Sequence, residues 1–291
     1  MWLTTDKSQR VNYQRLAPAL GAQVHGVDLA AVGSNRALHE ELRQALVEHQ
    51  VLVFPHQPIA PAELEAFARS FGTLLDHPAY PKVQGTQVQI LESTEVAPSK
   101  IEAWHSDMTF RAEPPSLTVL QGKAIPEFGG DTLFASTAAA FDALSPTMQS
   151  FLTGIDAVHE FARGFRESLA EAGGQERLAD AVAANPPVAH PIVRKHPVNG
   201  RRGLFVNPLF TTRIKNLMEE ESDFLLNYLF EHIVKDEFRL RVSWREETVV
   251  VWDNRLLLHK PMNDFFPQFR QLHRLTVAGD APLGAQLEVQ E

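Results

Sequence analysis

Phe238-Arg239-Leu240-Arg241-Val242-Ser243-Trp244 alternates apolar and polar residues without a break. Successive side chains of a strand point to opposite faces. Phe238, Leu240, Val242 and Trp244 therefore predict a buried face, and Arg239, Arg241 and Ser243 its exposed counterpart. Similar short runs recur outward from this stretch. On the C-terminal side they are residues 248–252 and 272–278; on the N-terminal side, 155–161, 192–194 and 203–207. Farther back, residues 51–54, 88–91, 104–110, 117–121 and 132–135 also predict strands.

Helices intervene at the front and in inserts. Leu38, Leu42, Ala45 and Leu46 are spaced for one helix over 34–50. Leu64, Phe67, Ala68 and Phe71 make a second, started by Pro61 and ended by Gly72. Residues 136–144, 146–152 (after Ser145) and 175–184 have helical composition. So does the run Leu225, Leu226, Leu229, Phe230 and Ile233, for which Ser222 is the expected cap. The pattern predicts a mainly β fold with helical decoration, a sandwich or jelly roll, as one domain over 1–291. The N-terminal helices fall at about 34–72, and the polar, weakly patterned segment 163–187 reads as an insertion able to act as a lid.

Composition narrows the function. A net charge of -9 leaves no excess of Lys and Arg to neutralise phosphates, which argues against a nucleic-acid partner. There is no cysteine, so disulfides, thiolate chemistry and Cys-based metal sites are excluded. The first ten residues carry Asp6, Lys7 and Arg10 without an apolar core, and no run is long enough to span a bilayer. A soluble cytoplasmic protein without a membrane partner is the expectation.

The chemistry centres on Trp104-His105-Ser106-Asp107. If residues 101–110 are extended, His105 and Asp107 share a face and can hold one metal ion. His259, shortly after the turn signal Asp253-Asn254, supplies a third ligand. Two imidazoles and one carboxylate leave three adjacent octahedral positions open and suit non-haem Fe(II). Alone this pattern is weak in a chain with twelve histidines. Two features strengthen it. Arg270 and Arg274 alternate with Leu272, so both guanidiniums share a strand face and offer planar forks for an oxyanion. Gly129-Gly130 permits a close turn into a strand on which the Thr132 hydroxyl can meet the same anion. His25, His49, His159, His190, His196, His232 and His273 read as structural, with His273 facing away from the two arginines.

Ordered motifs over nearly the whole chain carry a resemblance. They include GAQVHGVDL at 21–29, FGTLLDHPAYP at 71–81, WHSDMTF at 104–110 and GGDTLFAS at 129–136. HPIVRKHPVNG at 190–200, LFVNPLFTTRI at 204–214, VWDNRLLLH at 251–259 and HRLTVAGD at 273–280 complete the set. The chain resembles the taurine dioxygenase branch of the Fe(II)/2-oxoglutarate-dependent dioxygenases, the TauD/TfdA family. The resemblance implies a double-stranded β-helix (jelly-roll) core using Fe(II), 2-oxoglutarate and O2. It makes His105, Asp107 and His259 the catalytic iron ligands, and Thr132 and Arg270 the partners of the co-substrate's distal carboxylate.

By the same resemblance, His77 and Arg274 face the anionic end of a small sulfonate-like substrate, with Tyr80, Phe165 and Phe210 around it. The sequence departs from taurine enzymes at Ile101, at Met108, and at Leu257-Leu258 before the distal His, changes that predict a less polar site. The implied reaction hydroxylates the carbon next to sulfur in taurine or a related alkyl sulfonate. It releases sulfite and an aldehyde, with succinate and CO2. An alkyl-sulfate or aryloxyalkanoate dioxygenase is the alternative within the family. A non-catalytic cupin-like metal- or anion-binding protein is the alternative from another class, and a zinc hydrolase is disfavoured because such sites usually lack a paired anion clamp. A homo-oligomer, dimer or tetramer, is implied by resemblance only.

Overall fold

Val249–Asp253 is buried at every position because it lies at the centre of a sheet covered on both faces. Val249 and Val251 point to one hydrophobic cluster, Val250 and Trp252 to another. In this computed structural model, which describes residues 11–33, 35–76, 80–96, 98 and 101–286, the sheet has seven strands. Their order is Asn12–Arg15, Ala22–His25, Val51–Phe54, Val249–Asp253, Leu117–Ala124, Arg270–Val277 and Gln89–Ser93. Every neighbouring pair is antiparallel except Ala22–His25 with Val51–Phe54.

The outer face of this sheet is closed by the two N-terminal helices. Arg36–His49 is capped by Asn35, whose side-chain oxygen accepts from the Leu38 amide at 3.1 Å; Ser34, the expected start, lies outside the described residues. Pro61–Phe71 begins with Pro61, and the Glu63 carboxylate accepts from the Ala60 amide at 2.7 Å. Leu42, Leu46, Leu64 and Phe67 pack on Leu52, Val119, Val251 and Leu275.

The inner face meets a second sheet, ordered Arg239–Val242, Thr132–Ser136, Leu257–Pro261. Phe134, Leu240, Val242 and Leu257 from this sheet interdigitate with Leu120, Val250, Trp252 and Leu272 from the first. The alternation read at 238–244 holds for Leu240, Val242 and Trp244, which face the larger sheet; Phe238 is corrected, since it closes the turn Asp236–Phe238 and packs with Ala135 and Leu258 instead. Two more three-stranded sheets extend the body: Thr211–Ile214, Asp156–His159, Val188–Pro191; and Arg202–Leu204, Val193–Lys195, Leu283–Gly284. No helix among the described residues is long and apolar enough to cross a membrane.

Four local expectations are corrected. Residues 104–110 are not a strand: only His105 makes a bridge, and Asp107 to Phe110 turn. Phe161 opens the short helix Phe161–Gly164 instead of ending a strand. Ser222 is inside the helix Glu219–Ile233, where its hydroxyl oxygen accepts from the Ile214 amide at 2.8 Å; Met218 stands at the cap. In the segment 163–187 the helix expected at 175–184 is found as Gly174–Ala184, but the weakly patterned stretch before it is ordered too, since Arg166–Ala170 forms a further helix.

Candidate metal centre and substrate cavity

His105 and His259 are brought together by their backbones. The His105 amide donates to the His259 carbonyl at 2.9 Å and the His259 amide to the His105 carbonyl at 2.7 Å, an isolated antiparallel bridge. The imidazole centroids stand 4.1 Å apart. After His105 the chain dives inward: the Ser106 hydroxyl donates to the Leu257 carbonyl, and Met108 takes a left-handed conformation (φ 45°). The turn is closed by the Arg111 amide on the Met108 carbonyl at 3.0 Å. This turn, rather than the pleat of a strand, brings the Asp107 carboxylate to the two rings.

Asp107 then divides its oxygens. Oδ2 accepts from the Thr118 hydroxyl at 2.7 Å and pairs with Arg274 Nη2 at 3.0 Å. Oδ1 lies 3.8 Å from Nε2 of both His105 and His259. One ligand atom from each of the three residues lies within 4.8 Å of the others, and all three residues are buried. The Ala103 carbonyl can only accept, so the proton of His105 sits on Nδ1 (2.9 Å) and Nε2 presents its lone pair. Burial lowers the pKa of His105, and it lowers that of His259 further, with the neighbouring imidazole adding to the effect. Burial alone would raise the Asp107 carboxyl, but Arg274, the two imidazoles and Thr118 outweigh it and hold the group well below the usual carboxylate range. Neutral imidazoles beside an ionised carboxylate are the protonation states a divalent cation requires. The set leaves open positions and fits Fe(II) or a similar ion.

The three residues line a cavity of about 1040 Å³, roomy enough for more than one small molecule. Arg270 reaches it from the buried face of Arg270–Val277, its guanidinium near the rings of Trp244 and Phe265 (5.9 and 5.8 Å). Its Nε and Nη2 are buried without a hydrogen-bond partner. Burial lowers its pKa to about 10, against Asp131 and Asp264, so it is a cation at neutral pH. A buried cationic fork lacking an acceptor is the chemistry that a ligand carboxylate completes. Thr132 lines the same space, and its oxygen already accepts from the Trp244 indole at 3.0 Å, which leaves the hydroxyl proton to donate.

Tyr80, Ile101, Phe165 and Arg274 also line the cavity. Met108 and Phe210 stand one layer back, in a buried cluster with Phe110 and Phe161. Phe210 presents its ring to His105 at 6.4 Å between centroids. His77 lies outside the described residues. Leu257 and Leu258 belong to the hydrophobic cores on the two sides of their sheet and not to the cavity wall, so the expectation that they lower its polarity is corrected. His159, His190, His196 and His232 are buried and bonded within the protein, as expected of structural histidines.

Two groups escaped the sequence reading. Thr118 looks like any β-former in LTVLQ, yet its inward face carries the hydroxyl to Asp107. Asn254 looks like a turn residue, yet it donates to Thr118 at 3.0 Å and accepts from the Trp252 indole at 2.9 Å. Arg163 and Arg166, from the polar segment, also reach the cavity. No local pattern marks any of the four.

Residues 12–276 match the family model described as "Taurine catabolism dioxygenase TauD, TfdA family". The chain is 33% identical to an alkylsulfatase of Acinetobacter baylyi, covering 96% of this chain and 88% of the relative. It is 30% identical to an alpha-ketoglutarate-dependent sulfate ester dioxygenase of Pseudomonas putida, over 97% and 94% of the two chains. Among solved structures, a taurine dioxygenase from Burkholderia xenovorans superposes with a TM-score of 0.80 at 31% identity, covering 94% of this chain and 91% of that one.

Proposed function

The chain belongs to the TauD/TfdA family of alpha-ketoglutarate-dependent dioxygenases, and from that premise we propose that it hydroxylates an alkyl sulfur oxyanion. The reacting carbon is the one next to sulfur in a sulfonate, or next to the ester oxygen in a sulfate ester. Sulfonate cleavage yields sulfite and an aldehyde, ester cleavage yields sulfate and an aldehyde, and succinate and CO2 accompany either. The two facing sheets support a double-stranded β-helix core in one domain, and residues 163–168 of the segment 163–187 line the site, in keeping with a lid.

The observation that carries the reading is the buried, unpartnered fork of Arg270 in the same cavity as the His105–Asp107–His259 cluster. In this reading Fe(II) on those three residues, with 2-oxoglutarate as co-substrate, supplies the O2-dependent oxidising chemistry. The protein supplies position and dryness. Arg270 and Thr132 take the distal carboxylate of 2-oxoglutarate. Thr118 and Arg274 occupy Oδ2 of Asp107, so that Oδ1 is the oxygen presented to the metal. Arg274 also faces the cavity, where its charge draws the substrate's anionic end. Ile101 and Leu209 in the wall favour an alkyl chain.

The test is a substrate panel with Fe(II) and 2-oxoglutarate: taurine, n-alkyl sulfonates, n-alkyl sulfates and an aryloxyalkanoate. Stoichiometric succinate with sulfite or sulfate is expected for the alkyl compounds, and the ion released separates sulfonate from ester. Phenol release alone, or no substrate-dependent succinate, would overturn the assignment.

A further inference from the structure

Among the described residues four guanidiniums line the cavity, and the proposed reaction uses two. Arg270 and Arg274 come from the strand Arg270–Val277; Arg163 and Arg166 come from the helices Phe161–Gly164 and Arg166–Ala170. Arg163 is half-buried. Its Nε donates to the Pro208 carbonyl at 3.1 Å, which fixes the plane of the fork, and its Nη groups have no acceptor among the described residues. The side chain of Arg166, which is exposed, has no hydrogen bond or ion pair among the described residues. Burial, and then the charge of Arg166, lowers the Arg163 pKa, while Asp223 and Glu160 oppose the effect without forming an ion pair with it.

The helix that carries Arg163 is closely packed. A Cβ on Gly164 would stand 2.2 Å from the Phe210 ring, so the helix is seated directly on that side chain. Phe161 and Phe165 stack at 4.3 Å, and the Glu160 amide donates to the Phe210 carbonyl at 2.9 Å. The acids nearby are engaged elsewhere or exposed. Glu92 accepts from Gln271, Glu102 from Asn263, and Glu160 from Thr212 and Arg213. Glu167, beside Arg166, is exposed. Glu92, Glu102 and Glu167 share the lining, yet among the described residues none of them forms an ion pair with Arg163 or Arg166, so the half-buried Arg163 fork keeps its Nη groups for a ligand.

We propose that the substrate is dianionic: an alkyl sulfate or sulfonate whose far end carries a carboxylate, held by the fork of Arg163 with Arg166 beside it. This inference rests on the functional reading above. A planar fork with a fixed plane suits bidentate carboxylate recognition, and it sets which carbon of a chain reaches the metal.

The experiment compares n-alkyl sulfates with ω-carboxyalkyl sulfates of matched chain length. Binding is measured by calorimetry on the anaerobic protein loaded with Fe(II) and 2-oxoglutarate, and turnover by succinate and sulfate release. At the optimal length the dianion is expected to bind about ten- to a hundredfold more tightly than its monoanionic match. Arg163→Gln is expected to collapse that ratio, Arg163→Lys to keep part of it, and Arg166→Gln to reduce it less. Equal affinity for the two series overturns the proposal. So does a ratio unchanged in Arg163→Gln, even if both ligands weaken together, because long-range steering of any anion would act that way. Tight dianion binding without coupled succinate would instead sink the reaction assignment and leave the subsite standing. Turnover of the monoanion with no preference for the dianion would do the reverse.

Discussion

At Asp107 the two carboxylate oxygens have different work. Thr118 and Arg274 hold Oδ2, and Oδ1 faces the two imidazoles. Thr118→Val keeps the shape and removes one of the two donors on Oδ2, leaving the Arg274 ion pair to orient the carboxylate less tightly. Metal affinity is expected to fall about ten- to a hundredfold, read by Mn(II) titration of tryptophan fluorescence, since Trp252 lies 4.8 Å from the His259 ring. An unchanged titration would remove Thr118 from the site. The metal-ligand residue types were legible in the sequence, whereas the reason they converge was not. An H-x-D pair read as two positions of one strand is in fact a bridge residue followed by a turn through Met108. Thr118 was silent because its hydroxyl matters only through what lies opposite it.

At the level of elements, the Gly129-Gly130 turn places the strand that carries Thr132. Both glycines have left-handed φ (71° and 69°), as the sequence reading of a close turn required. A Cβ on Gly129 would also meet the Asp264 carbonyl oxygen at 2.7 Å. Gly129→Ala therefore combines backbone strain with a clash against backbone, and should lose about 2 kcal/mol or more. Gly85 has a similar φ (77°) with nothing within 4 Å of its Cβ position, so Gly85→Ala should lose only about 1 kcal/mol. Urea unfolding of the two variants checks the difference; equal losses would mean that the contact with Asp264 relaxes freely.

Across the whole molecule, buried neutral histidines tie the sheets to the turn that bears the metal cluster. His159 Nδ1 lies 2.9 Å from the Thr109 hydroxyl, and His190 Nε2 bonds the carbonyls of Thr109 and Arg111. Burial, then the nearby His190, lowers the His159 pKa to about 3, and burial lowers that of His190 as well. The unfolded chain binds these protons more readily, at an ordinary histidine pKa near 6.5. The stability at stake is therefore complete above pH ~6.5 and is lost as pH falls toward the folded-state value. His159 alone should remove about 2 kcal/mol by pH ~5. Urea midpoints of the metal-free protein between pH 7.5 and 5 test this. A flat profile would mean that the histidine charges without unfolding the sheets.

What the sequence determined by itself is whatever depends on local periodicity and residue chemistry. The alternation at 238–244 located a half-buried strand, the Arg270/Leu272/Arg274 spacing put two cations on one face, and Pro61 with Gly72 bounded a helix. The choice of two imidazoles and a carboxylate, with no cysteine available, also restricted the metal chemistry. Tertiary structure alone decided which atoms share the cavity. Arg163 and Arg166 arrive from a polar segment without pattern, Leu257 and Leu258 are taken into the cores, and Met108 becomes the turn that aims Asp107. Each of these rests on a contact between residues far apart in the chain. Local propensity constrains where a side chain points relative to its own backbone, but only packing fixes what stands in front of it.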